Sequence, residues 1–278
     1  MKNTLLFLLM ILSNENFGQE LKVMTYNIRL DIASDGENSW PNRKEKVSDL
    51  IQFYEPDIFG IQEGLPNQVQ YLDSVLTEYT AFGAGRDGGL KGEHSSIFYK
   101  NHTYELIEFD TFWLSETPYE VSKGWDAALN RICTFGLFKN KETKQFFWVF
   151  NTHFDHVGEI ARAKSAQLIH EKVSQVNTKD YLVVIMGDFN LEPNSQPILF
   201  LSNQYVHSKR GSKLIYNSGG TFNGFDFHKA ISNEKEIDHI FVSKKSFEVK
   251  NYAVLTDSYS CKYPSDHFPV IVDLEFLN

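Results

Sequence analysis

The chain has 278 residues, of which 42% are hydrophobic and 23% are charged, with 23 Phe and 13 Tyr. A composition this rich in apolar and aromatic side chains excludes disordered, collagen-like and coiled-coil proteins. The 27 basic and 36 acidic residues give a formal net charge of -9, which argues against a protein that coats nucleic acid, because such binding depends on Lys and Arg contacts to phosphates.

The N-terminus has the features of a secretory signal peptide. Lys2 precedes an apolar run from Leu5 to Leu12, and Gly18 stands before a polar stretch. The run is too short to cross a bilayer, which takes about 20 apolar residues. We therefore expect residues 1–18 to be a signal peptide, residues 19–278 to be one domain, and the protein to be exported to the periplasm or the extracellular space. The alternative is a hydrophobic first strand or helix.

The two cysteines are too few for a disulfide-rich scaffold or a four-cysteine zinc site. Export would place Cys133 and Cys261 in an oxidising compartment, where they could pair. The sequence does not show that they meet, and we expect two separate thiols.

Short apolar runs predict buried strands along the chain. Several runs are apolar at consecutive positions, which is typical of strands that are covered on both faces. The predicted strands are Leu21–Ile28, Asp57–Gln62, Ser95–Tyr99, Phe146–Thr152, Leu182–Met186, Ile237–Val242 and Phe268–Leu274.

Helical patterns lie between these strands. One begins near Pro41 and keeps its apolar residues at helical spacing as far as Tyr54; the others are Pro66–Leu76 and residues 158–176. Segments rich in Gly or polar residues predict long surface loops at Gly83–Gly92, Tyr119–Asn130 and Tyr205–Gly224. The order indicates one α/β domain, and its irregular spacing does not fit a TIM barrel.

Polar side chains gather where the apolar strands end or begin. Side chains at such positions leave the core, so we expect them to face a common cleft. They are Asn27, Glu63, Asn151, His153, Asp188 and Asn190 at strand ends, and Asp238, Asp266 and His267 at or before the starts of two other strands.

Taken singly, each of these residues has an ordinary structural explanation, such as a helix cap or a turn. Taken together, carboxylates and amides without a cluster of Cys and His ligands favour a hard, oxygen-preferring ion, Mg²⁺ or Mn²⁺. Such an ion commonly serves phosphoryl chemistry, because it neutralises the non-bridging oxygens of the phosphate.

Six short motifs occur in a fixed order over residues 21–270. They are Thr25-Tyr26-Asn27, Ile61-Gln62-Glu63, Asn151-Thr152-His153, Gly187-Asp188-Phe189-Asn190, Ile237-Asp238-His239 and Ser265-Asp266-His267. In this order they resemble the endonuclease/exonuclease/phosphatase superfamily of metal-dependent phosphoesterases. The resemblance implies that residues 19–278 are a catalytic domain folded as a four-layer α/β sandwich, with two mixed β-sheets packed face to face and helices on the outside.

The resemblance implies a metal site. Glu63 would be the main metal-binding carboxylate, with Asn27 and Asp266 as further ligands or as groups that orient the ligands. Some family nucleases have an acidic residue two positions after this Asn, where the present chain has Arg29. Asp31 would need a different backbone path to reach the metal, so the departure favours a single-metal site.

The resemblance also implies a catalytic apparatus. Asp188 would orient the attacking water or accept its proton, and Asn190 would hold Asp188 and the phosphate. His267, aligned by Asp238, would hydrogen-bond a phosphate oxygen or assist proton transfer, and His153 would donate to another oxygen. An imidazole beside a carboxylate is biased toward its charged form.

The stretch from Gly124 to Arg131 resembles the same stretch in an exported bacterial branch of the superfamily. Arg131 is a candidate bidentate phosphate clamp, and the alternative is a salt bridge at the entry of a strand. The other candidates for substrate contact are Trp125, Asn151, His156 and Arg162.

These observations predict a Mg²⁺- or Mn²⁺-dependent hydrolase of phosphodiester or phosphomonoester bonds that uses in-line attack of water. The acidic balance favours a small molecule or a head group as substrate, and a nuclease acting on DNA or RNA is the alternative. A protein that binds phosphate or glycans on the same fold without catalysis would be expected to lack Glu63, Asp188, His153 or His267. We expect a monomer without a membrane span.

Overall fold

The computed structural model describes residues 20–216, 219–231, 234–245 and 247–277. The expected signal peptide, residues 1–18, lies outside the described residues. Within the described ranges, no helix is both long enough and apolar enough to cross a bilayer.

The strands and helices are numbered here in chain order. The strands are β1 Glu20–Asn27, β2 Ile58–Gln62, β3 Tyr79–Phe82, β4 Ile97–Lys100, β5 Tyr104–Trp113, β6 Ile132–Asn140, β7 Phe146–His153, β8 Leu182–Asp188, β9 Val206–His207, β10 Leu214–Tyr216, β11 Asp238–Val242, β12 Phe247–Val254 and β13 Val270–Phe276. The α-helices are α1 Trp40–Tyr54, α2 Pro66–Val75, α3 Glu159–Val176, α4 Gln196–Gln204 and α5 Ser208–Gly211, and a short 3-10 segment spans Ala33–Asn38.

In the described part of the chain the strands form two mixed sheets. The first has the order β10-β12-β13-β1-β2-β4-β3 and the second has the order β5-β6-β7-β8-β11-β9. Each sheet contains an interior parallel pair, β1 with β2 and β7 with β8, flanked by antiparallel neighbours.

The two sheets pack face to face around an apolar layer that includes Val23, Phe138 and Val272. A second apolar layer joins the outer face of the second sheet to α3 and α4, and a third joins the outer face of the first sheet to α1 and α2. The alternation of helix, sheet, sheet and helix confirms the predicted four-layer α/β sandwich.

The predicted strands and helices are all present, with ends that differ by a few residues. The loop predicted over Tyr205–Gly224 is wrong, because it contains β9, α5 and β10. These elements have two to four residues each, too few to produce a recognisable apolar period. The strands β3, β5, β6 and β12 and the helix α4 are also absent from the predicted set. Polar residues interrupt the apolar pattern of β5 and β12.

The two cysteines are separate thiols, as expected. Cys133 is buried on β6 and Cys261 is exposed.

Candidate active site

The parallel pair of the first sheet brings metal-type ligands to one edge. β1 and β2 run in the same direction, with Asn27 paired with Gln62, so Asn27 and Glu63 leave the sheet together. β13 is antiparallel to β1, and the segment before it, which contains Asp266 and His267, therefore lies beside the end of β1.

The second sheet supplies the facing side chains in the same way, through the ends of a parallel strand pair. β7 and β8 are parallel, and their last residues, His153 and Asp188, are register partners. β11 is antiparallel to β8 and begins at Asp238, which is the register partner of Asp188. Sheet topology alone therefore assembles side chains that are far apart in sequence.

These strand ends meet in an open cleft of about 730 Å³. Asn27 and Asp238 contact the lining residues through hydrogen bonds, whereas Trp125, Asn151 and Arg162 are not among those that line the cleft. The predicted site residues that do line it are Glu63, Arg131, His153, His156, Asp188, Asn190, Asp266 and His267.

The amide of Asn27 joins two carboxylates. Its Nδ2 donates to Glu63 Oε1 at 3.0 Å and to Asp188 Oδ2 at 2.9 Å. The other oxygen of Glu63 accepts from the backbone N–H of Leu30 at 3.1 Å. In this geometry Asn27 orients the carboxylates of both sheets toward the same space.

The region around Glu63 and Asp266 is rich in negative charge. Burial raises the pKa of Asp266, and the nearby Glu63 carboxylate adds to this effect. The guanidinium of Arg29 donates to both oxygens of Asp35, at 2.9 and 3.0 Å, and lies 3.8 Å from Glu63 and from Asp266. Asp31 lies elsewhere, with its carboxylate accepting from Asn67.

This environment fits a divalent cation. A partly buried, incompletely neutralised pair of carboxylates gains from a bound positive charge. One ligand atom each from Glu63, His153 and Asp188 lie within 4.8 Å of one another. Oxygen donors predominate here, as in sites for Mg²⁺ or Mn²⁺.

Strained backbone accompanies the carboxylates. Arg29, Glu63 and Asn190 adopt φ angles of 55°, 62° and 50°, a left-handed conformation that is uncommon for residues other than Gly. Strain of this kind concentrates where the surrounding structure has to hold a functional geometry.

Asp188 and His267 face each other at the centre of the cleft. Asp188 Oδ1 accepts from the backbone N–H of Asn190 at 2.9 Å, and Oδ2 lies 3.8 Å from His267 Nε2 and 3.5 Å from His153 Nε2. The side-chain amide of Asn190 donates to the carbonyl of Phe154. The backbone of Asn190 therefore holds the Asp188 carboxylate, and the side chain of Asn190 fixes the turn that follows β8.

The protonation states of these groups differ. Burial opposes a charge on His267, but Asp238, which accepts from Nδ1 at 2.9 Å, and Asp188 outweigh it and raise the pKa of His267 to about 10. Burial and the negative charge of Asp238 raise the pKa of Asp188. Burial and the neighbouring Arg131 hold the pKa of His153 well below its ordinary value. The site thus combines a charged imidazole with a neutral one.

Arg131 is fixed in the cleft wall. Its Nε lies 3.4 Å from Asp155 Oδ2, and its Nη2 lies 3.1 Å from His156 Nδ1. The other oxygen of Asp155 accepts from the backbone N–H groups of Val157 and Gly158. Arg131 is therefore ion-paired with Asp155 and lines the cleft, and its role as a phosphate clamp stays a prediction.

Asn151 does not fit the predicted substrate contact. Its Nδ2 donates to the carbonyls of Ile61 and Ser96, and its Oδ1 accepts from Gln62 Nε2 at 2.7 Å. A Cβ on Gly60 would lie 2.4 Å from the Asn151 side chain, so the glycine permits this approach. Because its polar atoms are used between β7 and β2, Asn151 joins the two sheets.

Arg162 and Trp125 also lie away from the cleft. Arg162 donates to the carbonyl of Asp155 at 3.2 Å, and the backbone N–H of Trp125 donates to Glu116. Asp126, beside Trp125, accepts from the backbone N–H groups of Ile160 and Ala161 in the first turn of α3. This stretch shapes the loop and the start of the helix.

Two residues near the site had not been singled out from the sequence. Arg43, 1% exposed on α1, donates to the carbonyls of Ile28 and Pro264 and so ties the segment after β1 to the segment before β13. Thr221 Oγ1 donates to Asp238 Oδ2 at 2.5 Å. A lone Arg in a helix and a lone Thr in a loop have no distinguishing sequence pattern.

The model of the Endonuclease/Exonuclease/phosphatase family matches residues 24–267. An endonuclease/exonuclease/phosphatase family protein from Bacteroides thetaiotaomicron is 41% identical, with a TM-score of 0.90 over 94% of this chain and 99% of that one. The mannosyl-6-phosphatase Bt3783 of the same organism is 42% identical, with a TM-score of 0.88 over 92% of this chain and 100% of that one. The CCR4-Not complex 3'-5'-exoribonuclease subunit Ccr4 of Kluyveromyces lactis is 23% identical over 85% of this chain, which spans 38% of that protein.

Proposed function

The chain belongs to the endonuclease/exonuclease/phosphatase family, and from this premise we propose that it hydrolyses phosphate esters with the help of a divalent cation, Mg²⁺ or Mn²⁺. The favoured substrate is a phosphomonoester of a sugar or another small molecule. We further propose that the protein is exported and acts as a monomer.

The observation that supports hydrolysis is the convergence of Glu63, Asp188 and His267 on one cleft. Isolated carboxylates and histidines have many structural uses. Here Glu63 and Asp188 accept from the same amide, that of Asn27, and Asp188 lies beside His267. Two carboxylates and a charged imidazole in this arrangement can stabilise charge and transfer protons at a bound phosphate.

Glu63 and Asp266 would hold the cation, and Asn27, which donates to Glu63 and Asp188, would orient Glu63. When bound, the cation supplies Lewis-acid neutralisation of the phosphate oxygens. Its requirement for oxygen donors agrees with the carboxylates of this region.

The chain's own residues then divide the proton chemistry. Asp188, whose pKa is raised by burial and Asp238, orients the attacking water and accepts its proton; a base whose pKa lies nearer neutrality is effective in this role. His267, held charged by Asp238, donates to a phosphate oxygen as negative charge builds there. His153 is neutral and donates a further hydrogen bond, and Arg131 presents fixed positive charge in the wall.

The charge of the cleft rim favours a small substrate. Glu93 and Asp35 line the cleft and are each paired with an arginine, Arg86 and Arg29. Among the described lining residues, Lys235 adds one exposed lysine, which gives a long polyanion few cations to contact. The 42% identity to a mannosyl-6-phosphatase over almost the whole chain supports a phosphorylated sugar. A nuclease is the second candidate, supported by the more distant likeness to an exoribonuclease subunit.

The test measures hydrolysis by residues 19–278 with mannose 6-phosphate, glucose 6-phosphate, inositol phosphates, p-nitrophenyl phosphate, bis-p-nitrophenyl phosphate, and single-stranded DNA and RNA. We expect phosphate release from sugar phosphates to exceed cleavage of nucleic acid, EDTA to abolish it, and Mg²⁺ or Mn²⁺ to restore it. Glu63→Gln should lower kcat/KM by at least about a hundredfold, because an ion of this kind is worth several kcal/mol.

The matched control is Glu105→Gln, which removes the same charge from an exposed position on β5 and should leave kcat/KM unchanged. Turnover that persists in EDTA would contradict the metal requirement. Cleavage of DNA or RNA in preference to every monoester would replace the sugar phosphate with the nuclease alternative.

A further inference from the structure

A second group of ligand-type side chains lies at the edge of the second sheet, outside the catalytic cleft. Neighbouring residues on a strand point to opposite faces, so His239 on β11 points away from the face that Asp238 occupies. His207 on β9 is the register partner of Phe241, which lies on the same face as His239. The two imidazoles meet there, with ring centroids 5.1 Å apart.

The hydrogen bonds of this pair define which nitrogen of His239 carries the lone pair. His239 Nε2 lies 2.7 Å from the carbonyl of Leu191, and because a carbonyl only accepts, Nε2 bears the hydrogen. The neutral ring then has its lone pair on Nδ1, which lies 3.0 Å from His207 Nε2. Burial lowers the pKa of both rings, and the neutral imidazole is the form that binds metals.

Buried polar atoms without partners also occur where α5 contacts β11 and β12. Within the described residues, no hydrogen-bond partner is found for His207 Nδ1, Glu236 Oε1, Ser208 Oγ or Tyr252 Oη. His207 is 3% exposed and Glu236 is 6% exposed. Buried polar groups are almost always satisfied in folded proteins, and a group of exceptions at one place calls for an ion or ordered water.

We propose that His207, Glu236 and His239 form a buried site for a zinc ion, separate from the catalytic cleft. One ligand atom from each residue lies within 4.8 Å of the others. Zinc binds nitrogen and carboxylate oxygen at about 2.0–2.2 Å, so the three side chains need to close slightly around it. Two imidazoles with one carboxylate suit Zn²⁺ rather than Mg²⁺, which takes oxygen ligands.

A positive charge already lies beside the proposed site. Lys209 Nζ donates to Glu236 Oε2 at 2.6 Å, and its side chain is 24% exposed. Glu236 Oε1 has no hydrogen-bond partner among the described residues and would bind the ion, while Oε2 keeps its contact with Lys209. The positive charge of Lys209 would then lower the affinity of the site for zinc.

The ion would join β9 to the segment that leads into β11. That segment continues directly into Asp238, which aligns His267. Zinc would thus stabilise the strand that positions the catalytic imidazole while lying on its opposite face.

The test uses residues 19–278 with Glu63→Gln and Asp188→Asn, changes that weaken cation binding in the cleft. Zn²⁺ is titrated by calorimetry and Co²⁺ by visible absorption, which reports coordination geometry directly. We expect about one ion per chain, a nitrogen-containing low-symmetry Co²⁺ spectrum, and a Tm that rises with zinc concentration.

Two variants and one control identify the ligands. On the same background, His207→Asn and His239→Asn should each abolish the Co²⁺ spectrum, whereas His170→Asn, which changes a histidine on α3 that contacts Tyr205, should retain it. Lys209→Met should tighten zinc binding severalfold, a gain that loss of folding cannot mimic. Absence of binding in the cleft-deficient chain, or retention of the spectrum in both His207→Asn and His239→Asn, would overturn the proposal.

Discussion

The two faces of β11 place histidines in opposite electrostatic states. On one face, His267 contacts Asp238 and the pKa of His267 rises to about 10. On the other face, His207 contacts the imidazole of His239 and burial lowers the pKa of His207 to about 2. Both histidines are buried, so the difference arises from the partner. The attraction of a carboxylate partner offsets the free-energy cost of desolvating a charged imidazole, whereas a second imidazole provides no such attraction.

The difference matches the chemistry we propose for each face. A charged imidazole can donate to a phosphate oxygen, and a neutral imidazole can bind a transition metal. Adjacent residues of one strand, Asp238 and His239, therefore contribute to two distinct environments.

Removing the charged imidazole should have the largest effect. We expect His267→Ala to lower kcat by on the order of 10²–10⁴, the usual contribution of a group that assists proton transfer. Steady-state kinetics on the preferred phosphate ester measure this, with far-UV circular dichroism to show that the fold is intact. His170→Ala provides the matched control, and a kcat for His267→Ala close to that of the unmodified chain would remove His267 from the mechanism.

Replacing Asp238, the carboxylate partner of His267, while keeping the His267 imidazole should have an intermediate effect on activity. In Asp238→Asn the charge that raises the pKa of His267 is lost while burial continues to lower it, so the pKa of His267 should fall by about 1–3 units or more. The alkaline limb of the pH profile of kcat/KM should move to lower pH accordingly. A profile that keeps its alkaline limit would show that Asp238 does not control the charge of His267.

The face of β11 that carries the neutral imidazoles of His207 and His239 should affect stability. This effect should be smaller than the effects on activity predicted for His267 and Asp238. The pKa of His207 is lower in the folded chain than in the unfolded chain, so between about pH 6.5 and 2 the unfolded chain binds more protons and stability falls as pH falls. The slope should reach about 1.4 kcal/mol per pH unit for this group. The opposite sign applies to His267, whose raised pKa contributes stability below about pH 6.5 that is lost as the pH rises through about 10.

Urea unfolding in EDTA between pH 4.5 and 7 measures the contribution of His207. We expect His207→Gln to reduce the dependence of the free energy of unfolding on pH, whereas His102→Gln, at an exposed position, should leave it unchanged. Equal slopes for the unmodified chain and for His207→Gln would show that His207 is not held neutral.

Much of the candidate site follows from the sequence because local pattern and strand direction combine. Glu63, His153 and Asp188 each follow a long apolar run, and such runs form strands wherever they can be buried. Parallel pairing then brings the ends of neighbouring strands to the same edge. The family motifs add the order in which the strands occur.

The side chains that the sequence misplaced are those whose partners lie far away in the chain. Asn151 has the same kind of position as His153, yet its amide is used by Gln62, Ile61 and Ser96 across the sheet interface. Strand position predicts that a side chain leaves a sheet, but the packing of the second sheet determines whether it meets solvent or another backbone.

The sequence by itself determined the α/β class, the buried strands and the set of polar residues at their ends, because these depend on hydrophobic runs and short motifs. Tertiary structure decided that Arg29 pairs with Asp35, that Arg131 pairs with Asp155, and that His207 meets His239. The physical reason is that a charge or an imidazole takes its properties from the atoms within a few ångströms of it, and in a folded chain those atoms come from distant segments.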